Sequence, residues 1–193
     1  MSYSRLSTKA SDYLAKELSF SEEKQQILAY SLDMLFLMIV GYIVLLLIGW
    51  LFGIPLAMIS TLLSGDVLRK FSGGSHFSTP YRCLLATAVI YTSISWLSVE
   101  AFDRWNKEPA LVIILIILCL ISIFLVSRYA PVDSAAKPIV SPDFRKRLRM
   151  SSIMIVLLFS AVAVFMRESY IGLCIAGGIT AQSITLLPIF NKK

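Results

Sequence analysis

Apolar residues along this chain fall into long blocks rather than stripes. The first block runs from Ile27 to Leu63, interrupted by Asp33 and a few small polar residues. A helix needs roughly 20 residues to cross the hydrocarbon core of a bilayer, so this block is too long for one span. Gly53-Ile54-Pro55 divides it, because proline cannot continue a helix interior and glycine frees the turn. Spans are therefore predicted over 32–52 and 55–67, the second unusually short. Further apolar blocks predict spans over 83–101, 110–127, 151–166 and 170–190. Backbone groups in lipid must be satisfied within the segment, which makes the helix the default spanning element. The short alternating strands of a membrane β-barrel are not visible. The expected fold class is all-α, a polytopic membrane protein with about six transmembrane helices.

The first 30 residues differ in character. Leu6, Ala10, Tyr13, Leu14 and Leu18 recur at helical spacing, with Lys9, Asp12, Lys16 and Glu17 between them. This pattern predicts an amphipathic helix that lies in the headgroup plane or covers the membrane domain, with a plain solvated helix as the alternative. Ser19-Phe20-Ser21-Glu22 has the form of a capping box and predicts a second helical piece ending near Ala29. Two regions follow: an interfacial region over 1–30, and a membrane domain over 31–193 with a polar loop at 68–83 and a longer one at 128–150. The polar start from Met1 to Ser31 predicts no cleavable signal peptide.

Composition and charge agree with the block pattern. The chain is 57% hydrophobic and 16% charged, against about 45–50% and about 25% for an ordinary soluble domain. The net charge is +6, which in a soluble protein would raise nucleic acid as a partner. Here the cations sit in loops between apolar blocks, where Lys and Arg set membrane orientation. When alternate sides are assigned along the six spans, every Lys and Arg except Arg104, Lys107 and Arg167 falls on one side. That side carries both termini and both polar loops, and the rule places it in the cytoplasm. No nucleic-acid partner is expected.

Candidate chemistry concentrates in one loop, Gly73-Gly74-Ser75-His76-Phe77-Ser78-Thr79-Pro80-Tyr81-Arg82-Cys83. His76 is the only histidine, and so the only side chain whose ordinary pKa suits a general base near neutrality. Cys83 stands seven positions on, where a membrane helix begins. A thiol becomes a strong nucleophile when an imidazolium, cations or a helix N-terminus favour its thiolate. His76, Arg69 and Arg82 are near in sequence, and Thr79-Pro80 suits a helix start. Gly73-Gly74 would let a chain pass close by, or would simply make a turn. Asp66 is a candidate orienter of the imidazole, by analogy with the third group of a triad. Asp33 and Glu100 fall near span ends, and Gln182 within the sixth span is a candidate for a hydrogen bond between helices. The other two of the three cysteines, Cys119 and Cys174, fall mid-span and read as packing residues. The odd number and the lack of a CxxC pair point to neither a disulfide framework nor a metal site, and no cofactor is expected.

Arg69-Lys70-Phe71-Ser72-Gly73-Gly74-Ser75-His76 followed by Cys83 resembles the signature of the accessory gene regulator B (AgrB) family. Tyr129-Ala130-Pro131-Val132-Asp133, then Lys137-Pro138-Ile139, resembles its second signature. Length and the six-span layout match as well, so the likeness covers essentially the whole chain. The resemblance implies a membrane cysteine endopeptidase of a Gram-positive-type bacterium. Such an enzyme removes the C-terminal tail of a small AgrD-like precursor peptide through a thioester on the enzyme. A cysteine or serine of the precursor then closes the acyl group into a thiolactone or lactone used in quorum sensing. By this likeness Cys83 is the nucleophile and His76 the base. Arg69, Gly73, Gly74, Ser75, Asp133 and Lys137 would bind substrate or support the site. Ser134-Ala135-Ala136 departs from the proline and asparagine more usual in the family, which leaves the fine role of that loop open. Implied partners are the precursor peptide, the lipid bilayer and a second copy of the chain.

Two other classes compete. A peptide transporter would use the motif loop as a gate, but the fourth and fifth spans are almost purely apolar. A non-catalytic scaffold would have no need of His76 or Cys83.

Overall fold

The computed structural model describes residues 12–13, 21–75, 80–105, 108–133 and 141–191. Six α-helices account for most of them: α1 (Glu22–Leu51), α2 (Pro55–Ser72), α3 (Pro80–Trp105), α4 (Pro109–Tyr129), α5 (Pro142–Phe165) and α6 (Tyr170–Ile184). A 3-10 turn, Pro188–Phe190, follows. No strand occurs among the described residues. The fold is all-α, as the block pattern predicts.

The chain divides into two compact units, Met1–Leu45 and Leu46–Lys193. In the first unit, Gln25 Nε2 donates to Asp12 Oδ1 at 2.8 Å. The helix begun at Glu22 runs without a break through Ala29 to Leu51. The second helical piece therefore continues into the first span rather than stopping before it, because nothing between Ala29 and Asp33 breaks a helix. The rest of the interfacial segment lies outside the described residues.

In the second unit α6 is the centre. Nearly all its residues from Gly172 to Ser183 are buried, and it packs against α2, α3, α4 and α5. Its small residues permit this. A Cβ on Gly178 would stand 2.5 Å from the Thr61 carbonyl oxygen and would meet the Ser64 hydroxyl of α2. Small residues let helix backbones approach closely in lipid, where no hydrophobic force drives them together. Hydroxyls add direct bonds: Ser122 and Thr180 join α4 to α6 at 2.9 Å, and Ser95 donates to Thr61 at 3.0 Å between α3 and α2. Apolar clusters fill the remaining space, one around Leu111, Leu115, Cys119 and Ala176, another around Leu68, Val126, Val156 and Ile179.

The outward faces are apolar. Ile113, Ile117, Leu120, Phe124, Met154, Leu158 and Phe165 are all exposed, a surface suited to lipid rather than water. Four helices among the described residues are long and apolar enough to cross a bilayer: α1, α3, α4 and α5. The remaining two predicted spans are α2, which carries Asp66, Arg69 and Lys70, and α6, only 15 residues long. At about 1.5 Å per residue α6 is shorter than the hydrocarbon core. A helix enclosed by protein need not match the lipid thickness, so its burial explains its length.

Helix ends reach further into the polar stretches than the apolar blocks indicate. Leu68–Ser72 forms the last turn of α2 rather than loop. Phe102–Trp105 closes α3, with Arg104 Nε bonded to Glu100 at 2.6 Å. The stretch from Pro142 to Met150 opens α5, where Ser141 caps by accepting from the Phe144 N–H at 3.4 Å and proline takes the first position. Beyond Ile184 the chain turns instead of continuing the sixth span.

Gly178→Ala should lower stability by about 1–3 kcal/mol, because the obstacle is backbone of α2 that cannot step aside. Gly177→Ala should cost less, since its Cβ meets the Ile94 Cγ2 methyl group. Thermal unfolding midpoints in detergent check the order.

Candidate active site

The residues between α2 and α3 are shaped by two glycines. Gly73 and Gly74 take φ values of 69° and 137°, conformations that side chains rarely adopt. Gly73 N–H closes α2 on the Arg69 carbonyl at 3.0 Å. Each glycine also lies against a wall. A Cβ at Gly73 would strike the Val132 carbonyl oxygen, and one at Gly74 would stand 2.5 Å from Thr185 Oγ1 and 3.1 Å from Gln182 Nε2.

Three neighbours hold this turn. Arg69 donates to the Ser75 carbonyl at 2.7 Å. Gln182 of α6 donates through Nε2 to the Gly73 carbonyl at 2.7 Å and to Ser72 Oγ at 3.3 Å. The Ser75 N–H points to the Thr185 carbonyl at 3.4 Å. On the other side the Val132 N–H donates to the Ser72 carbonyl at 2.9 Å, which joins the second signature to the first. The next residue, Asp133, accepts from Arg145 at the start of α5.

Cys83 follows in the opening turns of α3 and is half-buried. It lines a cavity of about 60 Å³ together with Arg69, Ser75, Gln182 and Thr185, closed on the α3 side by Ala86, Thr87, Ile90 and Tyr91. The fold thus brings four of the residues singled out by sequence, Arg69, Ser75, Cys83 and Gln182, to one small space, with Gly73 and Gly74 forming its support. His76 and Lys137 lie outside the described residues, and so does any relation of Asp66 to the imidazole. Asp66 is half-buried on α2. Cys119 and Cys174 are buried, at 4% and 0% exposure, as packing residues should be. Thr185 was not singled out by sequence; a threonine inside the predicted span 170–190 gives no local sign that it faces a site. Gln182 makes the interhelical bond expected of it, and in addition lines the cavity beside Cys83. A larger apolar cavity lies elsewhere, between α4 and α5; it is lined by Cys119 but by none of the signature residues.

The helical membrane fold and the converging signature define a class before any relative is considered: a polytopic membrane protein with a thiol seated at a helix start. Residues 7–186 match the family described as Accessory gene regulator B, AgrB, and the chain belongs to that family. A protein named AgrB-like from Clostridium perfringens (strain SM101 / Type A) is 29% identical over 96% of this chain and 92% of its own length. Accessory gene regulator protein B of Staphylococcus intermedius is 32% identical over 65% of this chain and 62% of its own. Accessory gene regulator protein B of Staphylococcus aureus (strain MW2) is 27% identical over 78% and 76%. No solved structure matches.

The difference in exposure among the cysteines gives a direct check. A water-soluble maleimide should label Cys83 first in the folded protein, with Cys119 and Cys174 reacting only on unfolding. Mass spectrometry of labelled peptides, with Cys83→Ala as the blank, reads the order; equal labelling of all three would contradict the burial described.

Proposed function

We propose that this protein is a membrane cysteine endopeptidase that removes the C-terminal tail of a small AgrD-like precursor peptide, leading to a cyclic thiolactone or lactone signal for quorum sensing. Membership of the AgrB family supports the system; the observation that carries the chemistry is the seat of Cys83. Its thiol lines a small cavity with Arg69, Ser75 and Gln182, at the start of a helix and seven residues after the chain's only histidine.

In this reading His76 accepts the thiol proton, and the Cys83 sulfur attacks the carbonyl carbon of the scissile peptide bond. The C–N bond breaks, the amine of the tail leaves with a proton from the imidazole, and the acyl group remains as a thioester on Cys83. Asp66 is the candidate orienter of the imidazole. Opening turns of a helix leave backbone N–H groups without intrahelical partners, donors suited to the oxyanion that forms at the attacked carbonyl. An amide-to-thioester exchange is uphill, so water must be kept from the intermediate. A small site walled by Ala86, Ile90 and Tyr91 within a membrane fold serves that need. A thiol or hydroxyl of the precursor then takes the acyl group and closes the ring, regenerating the Cys83 thiol.

The remaining assignments follow from the same reading. Arg69, Gly73, Gly74 and Ser75 shape the site. Asp133 and Lys137 belong to the second signature, which supports the first through Val132 and Ser72. Both termini and the loops at 68–83 and 128–150 face the cytoplasm, by the distribution of Lys and Arg. Lys146 and Arg147 are exposed at the start of α5, where they attract an acidic peptide tail or anionic lipid. The working unit is a homodimer.

Cys83→Ala and His76→Ala should each reduce release of the precursor tail by at least on the order of a thousandfold, with membrane insertion unchanged. Cleavage assays with purified proteins read the effect. Parental turnover by Cys83→Ala would end the endopeptidase reading, and peptide uptake by vesicles carrying that variant would favour a transporter.

A further inference from the structure

Gln182 stands two residues before the end of α6 and is 1% exposed. Its side chain is only half used. Nε2 donates to the Gly73 carbonyl and to Ser72 Oγ, which fixes the end of the amide that carries nitrogen. Oε1 is buried and has no hydrogen-bond partner among the described residues. A buried amide oxygen is costly to leave unpaired, and native proteins rarely do so away from functional places.

No described neighbour donates to it. The Thr185 hydroxyl is bonded to the main-chain carbonyl of Gln182 itself at 2.7 Å. The Arg69 guanidinium is drawn to the Ser75 carbonyl. Yet Gln182 lines the same cavity of about 60 Å³ as the Cys83 thiol, a space with room for a water or a small uncharged group. A cationic donor would lose its hydration there beside a guanidinium. A peptide N–H would not: it is neutral, carries one proton to give, and recurs along any chain laid beside the nucleophile.

We propose that Gln182 is a substrate-binding residue whose Oε1 accepts a hydrogen bond from one backbone N–H of the peptide held at Cys83. This deepens the endopeptidase reading and rests on it. The same amide then has two tasks. Its nitrogen fixes the Gly73 turn, and its oxygen docks the peptide backbone, so peptide register is set directly by the group that positions the signature loop. Because a backbone N–H is read, the contact is indifferent to side-chain identity and fixes where the chain lies rather than which residue it carries.

Ester substitution tests this. Analogues of the AgrD-like precursor segment around the cleavage site are synthesised with one backbone N–H at a time replaced by oxygen. Their affinities are measured for the full-length protein in the Cys83→Ala background, where nothing is cleaved. One ester position should weaken binding about tenfold, the scale of one hydrogen bond. Adding Gln182→Met should reduce that penalty to less than about twofold. Adding Gln182→Glu should preserve it, because a carboxylate still accepts while it can no longer hold Gly73. Loss of all binding in Gln182→Met beside retained binding in Gln182→Glu also supports the proposal. An undiminished penalty in Gln182→Met, no penalty at any position, or loss of binding in both variants overturns it; the oxygen is then served by water and Gln182 only holds the turn. Failure of this kind leaves Cys83-dependent cleavage intact, whereas failure of the endopeptidase reading shows as cleavage by Cys83→Ala alone.

Discussion

The seat of the Gly73-Gly74 turn on the end of α6 is the contact on which the rest of the site depends. Both residues occupy backbone conformations that favour glycine, and both press against atoms that leave no room for a side chain. Gln182 and Thr185 receive the turn through the Gly73 carbonyl and the Ser75 N–H. Arg69 reaches across it from α2. These three hydrogen bonds fix the course of the chain from the end of α2 through Ser75. Arg69, Ser75 and Gln182, which make these bonds, line the same small cavity as Cys83.

Such a turn needs a firm platform, and α6 is one. It is nearly buried along its whole length, bound to α4 by the Ser122–Thr180 hydroxyl pair, and packed on α2 closely enough that Gly178 admits no side chain. In water an apolar helix of this kind would be held by the hydrophobic effect. In lipid that force is absent between helices, and close backbone packing with hydroxyl bonds takes its place. Small residues of α6 are therefore what lets the platform pack so closely on α2.

Much of this was legible from the order of residues. The block pattern, with Gly53 and Pro55 as the break, marked six helical segments, and the polar stretch ending at Cys83 contains Arg69, Ser75 and Cys83, which line one cavity. The helix ends were less legible. Residues such as Arg69, Arg104 and Arg145 read as loop by polarity, yet extend helices beyond the apolar layer, where capping and i,i+4 pairs rather than hydrophobicity decide. The short lengths of α2 and α6 as membrane segments made sense only once their burial was seen. Thr185 was invisible for a different reason: its contact with Gly74 joins positions more than a hundred residues apart, and no local pattern encodes such a meeting. The join between the signatures, through Val132 and Ser72, is likewise tertiary.

Membership of the AgrB family and a thiol seated beside a glycine turn lead to one central claim, that the acyl group of a cleaved precursor rests on Cys83. Intact-mass analysis of the parent protein, quenched in acid during turnover of the AgrD-like precursor, measures this most directly. The account predicts an adduct of the mass of the acyl fragment, mapped to Cys83 and released by hydroxylamine. Tail release with no adduct on that residue, or with the adduct on Cys119 or Cys174, would contradict it.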